Sequence, residues 1–504
     1  VQHGGAQPPG AGKGKGSPAA APSPKAAIPN AKTVRTCESL AQVALPNTTI
    51  ESATVDGTNC RVTAFTTHPP TGDKVQIWVA IPMQNWNGRF QGTGGGGFSG
   101  GSAGGVNGPL AQGYAAGATD TGHTGGSGNF ALDANGRLAW QLIRDNAHVG
   151  IHEMTMTGKA LTEALYGVKP KYSYFNGCST GGRQGLMEAQ RYPEDYDGIM
   201  SGSPAINWQK LHVMQMWGPV VMNAMGNPVA NCKLQAATNA AVAACDGIDK
   251  VTDGVIEDPT RCTYDAKSLV GTMTACGAVT AKDADVINKL WEGPQTPDGK
   301  PLWIGQPKGA DLTAIWGTRG DPPQAAPFGI SIEWYRFWLS QNPQLDGNSI
   351  TWDQFVRFFE QSVEQYSAVI GTDNPDLRAF QARGGKAIVW HGWTDQLISA
   401  HGAVDYYKRV MATMGADNAA NFIRLFMAPG IGHCGGGTGP NPTGQMEALL
   451  AWVEDGKAPD TLPASRQTPE GPRTRILCAY PQVPKYKGSG STNDAANFSC
   501  STGF

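Results

Sequence analysis

The sequence predicts an α/β protein, a mostly parallel central sheet flanked by helices, with a large insertion dividing the sheet-forming chain in two. Three stretches carry that prediction. Gly177-Cys178-Ser179-Thr180-Gly181-Gly182 follows the apolar run Tyr172-Ser173-Tyr174-Phe175 and precedes the helical pattern Arg183-Gln184-Gly185-Leu186-Met187-Glu188-Ala189. Lys386-Ala387-Ile388-Val389-Trp390-His391-Gly392 reads as a buried strand, and the turn after it, Trp393-Thr394-Asp395, carries an acid. Phe422-Ile423-Arg424-Leu425-Phe426-Met427 reads as another, leading into the glycine-rich loop Ala428-Pro429-Gly430-Ile431-Gly432-His433-Cys434. Short apolar runs of this kind, separated by helical spacing, suit strands buried on both faces.

Each stretch also carries chemistry. Gly-x-Ser-x-Gly between a strand and a helix is a nucleophile elbow: the serine sits on a tight bend and its hydroxyl projects into a cleft. The helix N-terminus behind it favours developing negative charge. The motif alone is a weak signal in a chain with 67 glycines, and the strand-to-helix context gives it weight. Ser179, then Asp395, then His433 is the chain order of the α/β-hydrolase triad, with serine as nucleophile, histidine as base and aspartate as its orienting partner. Asp405 falls in a helical pattern and suits the acid's role less than a turn residue after a strand. Ser179 and His433 each adjoin a cysteine. A Cys178–Cys434 bridge would hold nucleophile and base together across the intervening chain, a closure worth roughly 5 kcal/mol in the loop-entropy model.

The paired Cys-Ser and His-Cys dipeptides, with Asp395 between them, resemble the tannase and feruloyl esterase family, which includes the terephthalate monoester hydrolases. The resemblance runs from about Cys37 to Cys500. It implies an α/β-hydrolase core with a large inserted lid domain, and a secreted or periplasmic serine carboxylic-ester hydrolase acting on a small aromatic ester. Hydroxycinnamoyl (feruloyl) esters are the first expectation; galloyl esters or mono(hydroxyethyl) terephthalate are alternatives. A non-catalytic polyphenol- or carbohydrate-binding protein, or a serine peptidase on the same fold, would be different classes, and the intact Ser, Asp and His argue against the silent binder. The resemblance also implies bridges Cys37–Cys60, Cys178–Cys434, Cys245–Cys262 and Cys478–Cys500, leaving Cys232 and Cys276.

Composition narrows the partners. Net charge is −2 with 16% charged residues, which gives no electrostatic case for nucleic acid or an anionic membrane. No apolar run approaches the roughly 20 residues a membrane span needs. Ten cysteines without a clustered zinc pattern suggest five disulfides and an oxidising compartment. No signal peptide is visible, as expected if an export signal was removed or left out. Monomer and dimer both remain open, and no organic cofactor is implied.

Taken in order, residues 1–36 are rich in Pro, Ala, Gly and Lys, and read as a flexible tail. The first part of the core spans 37–205. Val75-Gln76-Ile77-Trp78-Val79-Ala80-Ile81 alternates like a strand. The glycine run 94–97 after Phe90 suits an oxyanion loop, a floppy linker being the plainer reading; matching the family from Trp86 onward favours Gly97 N–H as one donor, with Thr180 N–H as the other. A strand is expected over 114–120, with His123 as a hydrogen-bonded loop residue. Helical spacing runs from Trp140 to Leu165, and packing is the better reading of His148 and His152 there. Residues 206–372 lose the strand–helix alternation and read as the inserted lid. Within it, Asp246, Asp249 and Asp253, with Glu257 nearby, suit either a hard cation or an exposed acidic loop. The family resemblance implies structural Ca²⁺ here, held by those three side chains and the carbonyls of Val251 and Val255. The aromatic run Trp334-Tyr335-Arg336-Phe337-Trp338-Leu339 reads first as lid core; a wall for an aromatic acyl group (Trp334, Phe337, Trp338, with Trp393) is the sharper expectation. The terephthalate hydrolases grip a free carboxylate with a lid arginine, and the segment between Leu339 and Asp376 is too short here to supply one; Arg336 or Arg357 would be the stand-ins. The core resumes over 373–504, with helices from Ala400 and Gln445.

Overall fold

The computed structural model describes residues 24–504. A nine-stranded sheet organises the chain: β1 (Thr48–Asp56), β2 (Asn59–Thr66), β3 (Val75–Pro82), β4 (Arg89–Thr93), β5 (Ala115–Thr119), β6 (Tyr172–Cys178), β7 (Gly198–Gly202), β8 (Lys386–Gly392) and β9 (Ile423–Ala428), in the spatial order 1-2-3-5-4-6-7-8-9. The first three strands and the β3–β5 pair are antiparallel; from β5 to β9 every pairing is parallel.

The parallel strands are apolar on both faces because successive side chains enter different cores. Phe175, Ile199, Val389 and Leu425 pack on one side of the sheet, and their neighbours Tyr174, Met200, Ile388 and Phe426 on the other. Helix α1 (Gly150–Tyr166) and helix α3 (Ala400–Met414) cover the first side, with α2 (Thr180–Arg191) packed on β6 and β7; α4 (Gln445–Asp455) covers the second. The helical pattern expected from Trp140 is interrupted by a π-helical turn at Asp145–Val149 before α1 begins.

Residues between β7 and β8 add no strand to this sheet. Their helices, including Trp208–Met214, Asn231–Cys245 and Trp352–Tyr366, pack around Trp217, Trp316, Trp334 and Trp338 in a cluster that also takes in Phe98, Phe130, Ile143 and Ile398 from outside the insertion. The two ends of this insertion meet where Thr372 N–H donates to Ile206 O at 2.9 Å.

The tail expected over 1–36 needs correction in its second half; residues 1–23 lie outside the described residues. Residues 24–36 lie along the core, with Ala27 N–H on Asn87 O, Val34 N–H on Leu165 O and Ile28 packed on the hydrophobic cluster. Backbone hydrogen bonds and one apolar anchor suffice where composition shows no periodicity. All ten cysteines are bridged: Cys37–Cys60, Cys178–Cys434, Cys232–Cys276, Cys245–Cys262 and Cys478–Cys500.

Candidate active site

The register of the parallel strands decides where the chemistry meets. Cys178 lies opposite Gly202, Gly202 opposite Trp390, and Gly392 opposite Ala428, so β6 to β9 finish at one level. The turns that follow therefore share one edge, where α/β sheets form their clefts. Ser179 follows β6, Asp395 follows β8 and His433 follows β9.

Ser179 adopts φ 63° and ψ −123°, a left-handed conformation that strains any residue with a Cβ by about 1–3 kcal/mol. The turn is held on both sides: Ser179 N–H donates to Gly202 O at 2.9 Å, and Gly181 N–H to Gly95 O at 3.0 Å. Gly177 is required because a Cβ there would lie 2.6 Å from the Gly181 carbonyl carbon. Thr180 opens α2, so its N–H has no acceptor within the helix. Thr180 Oγ1 donates to Gly97 O at 2.7 Å, which ties the glycine loop to the elbow.

His433 Nδ1–H donates to Asp395 Oδ2 at 2.9 Å. Asp395 is fully buried and its Oδ1 accepts the N–H groups of Leu397 and Ile398, each at 2.9 Å. Burial alone would raise this carboxyl; hydrogen bonds from His391 and His433 outweigh it and hold the group well below the usual carboxylate range. Gln396 Oε1 accepts His433 N–H at 3.1 Å. The Cys178–Cys434 bridge, with 5.9 Å between α-carbons, joins the elbow to the histidine loop beside both side chains.

Ser179, His433, Thr180 and Gly97 line one cavity of about 350 Å³. Its walls are Ala205, Trp208, Leu211, Phe328, Ile330, Leu397 and Ile398, with His212 and Gln215 as polar members. Burial holds His212 down at about 4, so it is neutral near pH 7. A larger, open hollow of about 840 Å³ lies between the N-terminal segment and Gln84, Asn85 and Trp86, and contains none of these residues.

The expected aromatic wall is corrected by this cavity, because Trp334, Phe337, Trp338 and Trp393 do not line it. Trp334 and Trp338 stack on each other, 4.6 Å between centroids, inside the insertion's core. Their indole N–H groups donate to Ser362 Oγ and Gly128 O, as buried tryptophans require. Phe337 packs against the same core, and Trp393 faces His401 of α3. Neither Arg336, whose Nε–H donates to Leu345 O, nor Arg357 lines the cavity. Asp405 pairs with Arg409 on α3. His123 bonds Phe98 O, His148 bonds the Tyr192 hydroxyl and His152 bonds Asp195, so the two helical histidines serve different partners.

In the acidic loop, Asp246 accepts the N–H groups of Asp253, Gly254 and Val255, and Asp253 pairs with Arg475 at 2.7 Å. Burial, with the charge of Asp253 beside it, lifts Asp249 to about 6. Burial and then the charges of Asp249 and Asp253 push Glu257 well above its ordinary value. Among the described residues no N–H donates to the carbonyls of the buried Val251 and Val255. Crowded carboxyls and two free carbonyls form an all-oxygen donor set that fits a hard cation.

What sequence reasoning missed is His391, which also donates to Asp395, and the true cavity wall. The spacing of His391 four residues before Asp395 and the apolar Leu397-Ile398 pair just after it were the available signals.

A mixed sheet with helices on both faces and a serine, a histidine and an aspartate at one edge defines an α/β-hydrolase. The chain belongs to the tannase and feruloyl esterase family, whose model matches residues 60–501, and it is a carboxylic ester hydrolase. It is 38% identical over 476 residues to a probable feruloyl esterase of Arthroderma benhamiae, covering 91% of this chain and 87% of that one. It is 30% identical to the mono(2-hydroxyethyl) terephthalate hydrolase of Piscinibacter sakaiensis, with 85% and 81% covered. The solved structure of feruloyl esterase B from Aspergillus oryzae superposes with a TM-score of 0.81 at 27% identity, covering 92% of this chain and 99% of that one.

Proposed function

We propose that this protein hydrolyses small aromatic carboxylic esters, hydroxycinnamoyl esters first, through a Ser179–His433–Asp395 triad and an acyl-enzyme. The observation that carries the reading is the shared cavity: a strained serine and an Asp-bound histidine open onto one apolar pocket. His433 takes the Ser179 proton as the hydroxyl oxygen attacks the ester carbonyl. Asp395 orients the ring and stabilises the imidazolium. The N–H groups of Thr180 and Gly97 hold the oxyanion. The alcohol departs with the proton from His433; a water then gives a proton to the same ring as it attacks the acyl-enzyme, and the ring passes that proton to Ser179 Oγ as the acyl bond breaks and the acid is released.

The walls favour a flat apolar acyl group over an ionised one. With no arginine lining the cavity, a free carboxylate has no ion-pair partner there, which weighs against a terephthalate monoester. Galloyl esters remain the second reading within the family. Residues 206–372 act as a lid that supplies Trp208, Leu211, Phe328 and Ile330 to the pocket. The loop of Asp246, Asp249 and Asp253, with the Val251 and Val255 carbonyls, holds a structural Ca²⁺ whose contribution is rigidity. Five disulfides support a secreted or periplasmic location.

A hydrolysis panel of methyl ferulate, methyl gallate, chlorogenate and mono(hydroxyethyl) terephthalate tests the reading. Ferulate or chlorogenate should lead, and Ser179→Ala should abolish every rate. A panel led by the terephthalate monoester would overturn the substrate assignment, and an active Ser179→Ala variant the mechanism.

A further inference from the structure

His391 is the last histidine before the acid, four residues upstream at the end of β8, and is fully buried. Its Nε2 lies 3.1 Å from Asp395 Oδ2 and 3.1 Å from the carbonyl oxygen of Ile398. Both neighbours are acceptors, so Nε2 must carry the proton. Its Nδ1 is buried without a partner, so a proton there would face no acceptor. The ring is therefore the neutral Nε2–H tautomer, sharing one proton between two oxygens. Those oxygens belong to functionally different groups: Asp395 orients His433, and Ile398 lines the acyl cavity.

Resting on the triad proposed above, we propose that His391 is a positioning residue for ester hydrolysis. Its shared proton locks the catalytic carboxylate and the Ile398 wall into one unit. The Oδ2 atom receives two N–H donors and Oδ1 two more, so the carboxylate has one orientation and no room for a proton of its own. Nearby on α3, burial foremost holds His401 at about 4, so it is neutral near pH 7. The charged groups Asp258, Lys308 and Lys408 act on the His401 ring.

The test uses the full-length protein and three variants. His391→Leu removes the donor, and His391→Gln returns an N–H near the same place. With the donor gone, the full charge of Oδ2 falls on His433, the imidazolium is favoured, and the acid limb of kcat/KM moves to higher pH by about half to one unit. Loss of orientation lowers kcat by about 10- to 100-fold, with KM little changed. His391→Gln should restore both. Independently of any variant, ¹⁵N-histidine spectra of the wild-type protein should show His391 as the Nε2–H tautomer. A His391→Leu enzyme with the wild-type rate and limb overturns the proposal. So do Leu and Gln variants equally impaired with an unmoved limb, which would mean packing alone, or a spectrum showing the Nδ1–H form. Asp395→Asn separates the two levels: if it keeps the wild-type rate the triad reading has failed, and if it is inactive beside a normal His391→Leu only the role of His391 has.

Discussion

Opening the Cys178–Cys434 bridge should stop catalysis before it unfolds the protein. The bridge closes 256 residues, and the Cys232–Cys276 bridge nested inside shortens the free path by 44. For an effective loop of about 212 residues the chain-entropy model gives about 5.4 kcal/mol, only about 0.2 less than for the uncut loop. Four other bridges and two large cores remain, so the fold survives at moderate temperature. The site is more sensitive than the fold, because two residues at the bridge are in left-handed conformations: Ser179, next to Cys178, at φ 63° and Cys434 itself at φ 58°. Each relaxation recovers about 1–3 kcal/mol, and the S–S bond is the one covalent link opposing it. The assay is a titration with mild reductant, in which alkylation and mass spectrometry report the state of each cysteine. Initial rates and far-ultraviolet circular dichroism are read on the same samples. The rate should fall by at least about tenfold while the dichroism is unchanged, since a displacement of 1 Å costs about that much or more. Full activity with this bond shown to be open would refute the clamp.

Other outcomes follow from the same geometry. Ser179→Ala should lower kcat by about 10⁴-fold or more without lowering Tm, measured by stopped assays and calorimetry, since it also removes a polar group from a strained turn. Chelation, or Asp249→Asn, should lower Tm by several degrees and be reversed by added Ca²⁺ in the wild type alone; an unchanged Tm on chelation would remove the metal from the account. Stability should also depend on the cluster at His68. Burial foremost lifts Asp145 to about 7, above its unfolded value, so the native state binds more protons than the unfolded one between about pH 4 and 7. Stability from this group is therefore highest at low pH and falls as pH rises through 7. His68, raised by Asp73 and Glu153 against the opposing effect of burial, loses its contribution in the same direction. Asp145→Asn should raise Tm at pH 8 by about 2 °C and do little at pH 4.5, read by calorimetry at both values.

Much of the catalytic edge was legible because it is local. The candidate elbow, acid and base each follow a strand whose two buried faces make it conspicuous, and Gly177 and Gly182 sit where a Cβ would come within 2.6 Å of Gly181 C and 2.5 Å of Gly202 O. The adjoining cysteines carried long-range information that sequences rarely display. The lining of the cavity beside Ser179 was not legible. Trp334 and Trp338 are spaced for a helix face, and that spacing is the same whether the face looks into a cavity or into another helix. Here Ser362 and Gly128 satisfy their indole N–H groups, and the rings turn inward. The actual wall draws on residues 205–215, 328–330 and 397–398, which share no period or motif.

By itself the sequence determined which residues could attack, take a proton and carry charge, since those properties belong to side chains and their immediate turns. It also determined that the sheet would be buried on both faces, which follows from composition along each strand. The tertiary structure alone decided which apolar surface faces the serine. That depends on where the insertion folds back over the strand ends, a relation among segments far apart in the chain that no local pattern encodes. The contact between His391 and Asp395 is local by contrast, and what the fold added is the turn that brings Oδ2 within 3.1 Å of the ring.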